Sequence, residues 1–442
     1  MTFSKSVPYE KISAVALAIA IVALPFSVAI CHAGLILLSL TWLLEGGWSR
    51  KWATIKNNLL LWPFIFFFLL HLIGLFYSDD LTNGWFNVEK KVFFFLLPVI
   101  LATTTIRSPY LNLLLKSFIF SSFIAVVVCL AAALIHVIQP SELPPIFDYS
   151  NFENYKLLNP GRSIWWSYFS YNALSSAIRI HPTYLGLYIV FSIALIFHFY
   201  KQEKVTSTWK KGMTAALLLL FSLFVLLLSS RAILIAYLLI SFTGLIWISG
   251  DKIRSFTTLS AVGLISIGSL ILVFVNPISR FRFIQEFKVS SLVIESGKLY
   301  TTSSSIRYSL WWLGMESITS RNWMTGNGTG DVIDTIKDTA TKYGITNTIN
   351  SYDPHNQFLY TFLALGTAGV LCLMACLFLP VCQSLIFGSF LHRCFIAIVV
   401  IACMTESLFE LQKGIVFFSI FHSLLIFHLQ PLRFTQFKLS HG

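Results

Sequence analysis

Apolar segments long enough to cross a lipid bilayer recur along the whole of this chain. A helix needs roughly 20 apolar residues to cross the bilayer core. Backbone N–H and C=O groups inside the core must be hydrogen-bonded within a helix or a closed β-barrel. The composition agrees, since 56% of the 442 residues are hydrophobic, 11% are charged and the mean hydropathy is +0.76. The runs are continuously apolar, whereas the strands of a β-barrel alternate. The sequence therefore predicts an all-α polytopic membrane protein.

About twelve transmembrane helices are predicted, and residues 1–442 are interpreted as a single transmembrane domain. The predicted spans are 12–30, 31–44, 59–77, 92–106, 113–138, 183–200, 213–229, 232–249, 256–275, 357–379, 395–410 and 412–429. The second and fourth are short and are expected to be tilted or re-entrant. If both termini are cytoplasmic, the basic loops lie inside, as the positive-inside rule requires. The net charge of +12 then reflects topology and not nucleic-acid binding.

Two long outer segments, at about 139–182 and 276–356, are expected to cap a site. The second contains a predicted helix from Ile306 to Ile318 and a glycine-rich turn from Gly326 to Gly330. Four tryptophans in these segments are candidate sugar-stacking surfaces, although tryptophan more often anchors a helix at the membrane interface. They are Trp165, Trp166, Trp311 and Trp312.

Two arginines stand in unusual settings. Ser229-Ser230-Arg231 is a tight turn between two apolar runs, so Arg231 either anchors a helix end or faces an enclosed polar cavity. Arg307 and Trp311 are one turn apart on the predicted loop helix, so they share a face of it. That face either anchors the helix at the membrane interface or forms part of a site. A planar, always charged guanidinium suits phosphate oxygens. Gly328 is interpreted as letting backbone approach a ligand, or simply as part of a turn.

His355 and Asn356 follow Pro354, where the larger loop returns to an apolar run. Because proline disfavours helix at the residue before it, the next helix is expected to begin near His355. A neutral imidazole there can accept a proton near physiological pH, although most isolated histidines are structural. Arg179 and His181 precede the sixth span in a similar way, either as substrate contacts or as a loop-to-helix junction.

Two carboxylates lie near the end of the eleventh predicted span. Glu406 and Glu410 are placed one helical turn apart, with Lys413 as candidate partner in a structural ion pair. The alternative is that Glu406 contacts substrate, because acids in a membrane usually mark a partner or a pathway. Lys90 and Lys91 are expected to anchor the fourth span at the interface. The seven cysteines lack zinc-type spacing, so no metal site is predicted.

The order of these motifs resembles the O-antigen ligase and O-antigen polymerase superfamily of bacterial envelope proteins. The resemblance rests on Ser-Ser-Arg231 opening a span, Arg307 in a large outer loop, Gly326-Asn-Gly328, and His355-Asn356 before a span. It implies a GT-C-type glycosyltransferase fold of about twelve helices, with a periplasmic loop over the site. The stretch Arg179-Ile-His181-Pro182 departs from the Asn-containing stretch often found there in relatives.

The resemblance implies transfer of a glycan from undecaprenyl diphosphate onto an acceptor sugar hydroxyl, at the periplasmic side of the bacterial inner membrane. It implies that Arg231 and Arg307 bind the donor diphosphate, that His355 is the base, and that neither metal nor other cofactor is needed. In the ligase branch, which is favoured here, the acceptor is the lipid A core, in lipopolysaccharide biosynthesis. In the polymerase branch the acceptor is another carrier-linked repeat unit.

Functions of other classes stay open at this point. The same arginines could guide a lipid-linked oligosaccharide through a transporter or flippase. Against that, charges within the apolar runs are few, and no repeated pair of broken helices stands out. A noncatalytic partner in envelope assembly is a third, weaker alternative.

Overall fold

A computed structural model describes ten parts of the chain, and they contain helices, turns and bends but no strand. The described residues are 7–138, 168–203, 207–250, 268, 271, 275–280, 303–319, 322–345, 353–387 and 389–429. Among them, seven helices are long and apolar enough to cross a membrane, or eight if one bent pair forms a further span. This confirms a polytopic helical membrane protein. The count of twelve and the GT-C fold stay predictions, and most of the predicted span 256–275 lies outside the described residues, as do Trp165 and Trp166.

The helices are numbered in chain order. The first half contains α1 (Val7–Ala23), α2 (Val28–Glu45), α3 (Trp48–Asn57), α4 (Trp62–Leu75), α5 (Leu81–Thr103), α6 (Ser108–Ile138), the short α7 (Tyr171–Ser175) and α8 (Pro182–Gln202). The second half contains α9 (Thr208–Leu227), α10 (Arg231–Ser249), the short α11 (Pro277–Arg280), α12 (Ser303–Glu316), α13 (Val332–Lys342), α14 (Gln357–Phe387), α15 (Phe390–Cys403) and α16 (Gln412–Leu424).

The break between the first two helices comes earlier than predicted. The predicted span 12–30 is wrong at its end, because α1 stops at Ala23 and α2 starts at Val28. Pro25 disfavours helix at the residue before it, and the Ser27 side chain caps α2 by accepting a hydrogen bond from Ile30 N at 3.3 Å. The second span is therefore longer than predicted. The fourth is too, since α5 already begins at Leu81.

One predicted inner loop is a helix. Residues around Arg50 and Lys56 form α3, which meets α4 at a bend of 91°. Its tryptophans Trp48 and Trp52 are exposed, as interfacial residues would be. The bend thus lies in the third predicted span, whereas a re-entrant segment was expected in the second or fourth.

Helix α8 forms the centre of the bundle, and nearly all of its side chains are buried. It packs against α6, α9, α10 and α15, while α16 packs against α5. Rings also pack between α8 and α16: the ring centroids of Tyr188 and Phe417 are 4.9 Å apart, and those of Phe191 and Phe421 are 5.1 Å apart. Because α8 and α16 are held on all sides, the loops leading into Pro182 and Gln412 start from fixed positions.

Helix α14 is broken at Gly366, where φ is 62°. The glycine-rich segment of the large loop fills the break. Asn327 N donates to Leu363 O at 2.8 Å, and Thr367 N donates to Trp323 O at 2.9 Å. The loop thus satisfies backbone groups that the broken helix leaves open, and it is seated on α14.

The eleventh predicted span, 395–410, is also wrong at its end. Helix α15 stops at Cys403, and residues Leu408–Glu410 form a separate 3-10 turn. Glu406 and Glu410 are therefore not successive turns of one helix. Outside the helix each carboxylate pairs with a cation from another part of the chain: Glu406 with Arg307, and Glu410 with Lys91.

Candidate active site

A cavity of about 130 Å³ lies where the starts of α8 and α10 meet α12 and the segment after α15. Its walls come from five separate parts of the chain. The lining residues are Tyr171, Thr183, Ser230, Arg231, Ala232, Arg307, Tyr308, Trp311, Thr405 and Glu406. Four residues singled out from the sequence are thus brought together: Arg231, Arg307, Trp311 and Glu406.

Arg231 is placed by the tight turn between α9 and α10. Ser229 adopts a left-handed conformation with φ of 52°, and Ser230 in extended conformation precedes the first turn of α10. The hydroxyls of Ser229 and Ser279 lie 2.6 Å apart, which ties the turn to α11. Arg231, the first residue of α10, is half-buried and lines the cavity.

Arg307 and Trp311 lie one turn apart on α12, as predicted, and both line the cavity. Arg307 Nη2 donates to Glu406 Oε1 at 2.8 Å. Trp311 Nε1 donates to the carbonyl oxygen of Pro354 at 2.8 Å, which links α12 to the loop that carries His355. The predicted loop helix is confirmed, with bounds shifted by two or three residues.

His355 occupies a constrained turn just before α14. Its φ is 46°, a region that residues other than glycine rarely adopt. Asp353 Oδ1 accepts a hydrogen bond from His355 N at 2.8 Å, and Asn356 Oδ1 accepts from Phe358 N at 3.0 Å and Leu359 N at 3.1 Å. Asn356 is thus the N-cap of α14. These contacts hold the imidazole at the mouth of the helix, close to where the sequence predicts it.

The Glu406 carboxylate connects the histidine to the cavity. Its Oε2 lies 3.3 Å from His355 Nδ1, and its Oε1 accepts from Arg307 and, at 3.4 Å, from Thr183 Oγ1. Burial raises the pKa of this carboxyl, but the His355 hydrogen bond and the charges of Arg307 and His181 outweigh burial and lower the pKa to about 2. Glu406 is therefore ionised at neutral pH.

Asp353 is the second acid beside the imidazole. Its Oδ1 lies 3.4 Å from His355 Nδ1 and accepts from Ser407 Oγ at 3.2 Å. Burial raises the pKa of Asp353, against the opposing effect of His355. The pKa is thus lowered at Glu406 and raised at Asp353, because more positive charge surrounds Glu406.

Other residues predicted as substrate contacts have structural contacts of their own. Arg179 is exposed in a left-handed turn, and its carbonyl accepts from Lys413 Nζ at 3.1 Å. Lys413 as ion-pair partner of the acids is therefore wrong. His181 precedes α8, with Nδ1 accepting from Thr183 N at 3.4 Å. Gly328 packs close to Ser78, which lies between α4 and α5. None of these lines the cavity, so their contact with substrate stays a prediction, as does that of the N-cap Asn356.

Several cavity residues carry no signal in the sequence. Tyr171, Thr183, Tyr308 and Thr405 are common residue types from four separate parts of the chain, and only the fold brings them together. Asp353 had one usable signal, its place two residues before His355 across a proline. Within the described ranges, no group of three or more His, Cys, Asp or Glu side chains could hold a metal ion.

Comparison with known proteins bears on the centre of the chain. Residues 215–374 match a family model described as O-antigen ligase. No curated protein matches the chain. The match contains Arg231, Arg307 and His355, ends before Glu406, and confirms the resemblance to the O-antigen ligase and polymerase superfamily.

Proposed function

With residues 215–374 matching the O-antigen ligase family, we propose that the protein transfers a glycan from undecaprenyl diphosphate onto a sugar hydroxyl of an acceptor glycolipid. One observation supports this above the others. Arg231 and Arg307 line one cavity, and a single carboxylate joins Arg307 to His355. A clamp for an anionic leaving group therefore adjoins a base for a hydroxyl nucleophile.

The arginines suit a diphosphate leaving group. Negative charge grows on the phosphate oxygens as the glycosidic bond breaks, and fixed guanidiniums in a partly dry site stabilise it without reorganisation. Arg307 Nη2 donates a hydrogen bond to Glu406, but the buried Nε donates to no residue that the structure describes. A buried donor without an acceptor is costly. A phosphate oxygen in the cavity would satisfy it.

His355 is the proposed base. With carboxylates facing Nδ1, the proton on that nitrogen is favoured, and Nε2 then carries the basic lone pair. The acceptor hydroxyl loses its proton to Nε2 as its oxygen bonds to the anomeric carbon. The bond from that carbon to the phosphate oxygen breaks, and the diphosphate leaves with the electron pair. Direct displacement inverts the anomeric centre. No metal ion is invoked in these steps.

The cavity's place at the ends of membrane helices suits a lipid-linked donor. The polyprenyl chain would lie among the apolar helices, with its diphosphate at the arginines and its sugars under the outer loops, near Trp311. In this proposal the site faces the periplasm and both termini face the cytoplasm of a bacterium with an inner membrane.

Reconstitution tests the function. Purified protein in liposomes is supplied with undecaprenyl-diphosphate-linked glycan, with and without lipid A core. A new glycan–core conjugate together with released undecaprenyl diphosphate is the result expected of a ligase. Longer carrier-linked glycans without core would instead indicate a polymerase. Movement of the donor across the bilayer with no new glycosidic bond would refute the transferase and indicate a flippase.

A further inference from the structure

We infer that Glu406 is a positioning residue that sets the orientation of His355 and Arg307 together, one with each carboxylate oxygen. Oε2 lies 3.3 Å from His355 Nδ1, and Oε1 accepts from Arg307 Nη2 at 2.8 Å. The inference rests on the proposed function and adds a residue from outside the segment that matches the family. One side chain thereby couples the base to the leaving-group clamp.

The carboxylate is held rigidly enough for this task. It is 7% exposed, and Thr183 Oγ1 donates to Oε1 at 3.4 Å. The segment after α15 is also tied to the start of α14, since Asn356 Nδ2 donates to Met404 O at 3.3 Å and Phe409 N donates to Gln357 Oε1 at 2.6 Å. Glu406 and His355 therefore lie on two segments that are bound to each other on either side of their contact.

Asp353 is the competing partner for the imidazole. Its Oδ1 already accepts from His355 N at 2.8 Å and Ser407 Oγ at 3.2 Å, so it shapes the turn. Glu406 instead directs its Oε2 to the ring and holds a guanidinium with its other oxygen. Geometry thus assigns the turn to Asp353 and ring orientation to Glu406.

The chemical consequence follows from the charges around the ring. Asp353 faces the imidazole from its own loop and Glu406 from the segment after α15, while Arg307 and His181 act on Glu406, and Glu410 acts on Asp353. An ionised Glu406 fixes the proton on Nδ1 and stabilises the imidazolium once Nε2 has taken a second proton. Removing its charge should therefore slow the removal of the proton from the acceptor hydroxyl.

The kinetic test compares Glu406→Gln with Glu406→Asp, using Glu203→Gln as the matched control because the Glu203 carboxylate pairs with Lys116 at the surface. Glu406→Gln is expected to lower kcat about 100-fold or more, with a smaller change in the KM for donor. Glu406→Asp keeps the charge and should recover part of the rate. Glu203→Gln should leave both constants near their wild-type values. A wild-type kcat in a folded Glu406→Gln protein would overturn the inference.

A second measurement does not depend on transfer activity. Nitrogen-15 NMR of histidine-labelled wild-type protein, with His355→Gln to assign the signal, reports the tautomer of the ring. The inference requires the Nδ1–H tautomer, and an Nε2–H tautomer would refute it. If wild-type protein joins no glycan at all, the proposed function fails, while a second spectrum still decides whether Glu406 orients the ring: Glu406→Ala keeps Asp353 and should lose the Nδ1–H preference, and an unchanged tautomer would refute the inference.

Discussion

Lys91 Nζ and Glu410 Oε2 form an ion pair of 2.7 Å inside the bundle, with side-chain exposures of 0% and 7%. The pair joins α5 to the 3-10 turn before α16. Lys91 also donates to Phe409 O at 2.6 Å, and Gln357 Nε2 donates to Glu410 Oε1 at 3.1 Å. Lys91 as an interface anchor is therefore wrong. The pair helps to fix the two segments that carry Glu406 and His355.

Lys91→Met is expected to destabilise the protein by about 3–5 kcal/mol, because it leaves the buried Glu410 charge uncompensated. The double variant Lys91→Met/Glu410→Gln removes both charges and should recover much of that loss. Lys116→Met is the matched control, since its pair with Glu203 is 51% and 45% exposed and contributes about 0–1 kcal/mol. Thermal unfolding in detergent measures all three. A double variant no more stable than Lys91→Met would contradict the ion-pair interpretation.

Arg231→Lys and Arg307→Lys should each lower transfer about 100-fold or more. Lysine keeps the charge but lacks the planar fork that binds two phosphate oxygens, and at position 307 it also lacks the buried Nε donor. Rates of transfer from undecaprenyl-diphosphate-linked glycan test this. Arg107→Lys is the control, because the arginine is 58% exposed in its pair with Glu10 and does not line the cavity. Lysine variants with near-normal rates would reduce both arginines to membrane anchors.

His355→Ala should remain inserted and folded but lose transfer by about 10²–10⁴-fold, the usual contribution of a general base. Its side chain is 30% exposed, so truncation leaves no large core cavity. Purified variant is assayed for transfer beside a thermal-unfolding measurement. Normal transfer by the alanine variant would exclude the base role.

The sequence predicted the parts of this molecule that depend on local pattern. Continuous apolar runs predicted the membrane helices, a Ser-Ser-Arg turn predicted Arg231 at a helix start, and Pro354 predicted the helix start beside His355. It could not predict contacts between distant segments. Lys91 and Glu410 are 319 residues apart, and no period or spacing links them.

The glycine-rich turn is a second case in which the sequence did not predict a contact between distant segments. Its glycines predicted a turn, but a turn does not indicate what it packs against. Only the break in α14 explains why this one is needed, because the loop supplies partners to Leu363 O and Thr367 N.

Asn356→Ala is expected to cost about 1 kcal/mol of stability, because Asn356 Oδ1 caps α14 through Phe358 N and Leu359 N. Asn356→Asp keeps a capping oxygen and should restore most of that stability, although it loses the bond from Nδ2 to Met404 O. Thermal unfolding and transfer rates are measured on both. If Asn356→Asp is stable yet inactive, the amide contacts substrate as well.

Gly326→Ala should destabilise the protein more than Gly344→Ala, although both glycines have positive φ, 75° and 72°. A methyl group on Gly344 meets open space, so that variant bears only the conformational cost, about 1–2 kcal/mol. A methyl group on Gly326 overlaps the backbone of Ala364 beside the break in α14. The loop must then withdraw from α14, which adds about 1–3 kcal/mol and disturbs α12, the helix that carries Arg307. Gly326→Ala should therefore show both a lower unfolding temperature and slower transfer than Gly344→Ala. Equal unfolding temperatures for the two variants would show that the loop is not seated on the broken helix as described.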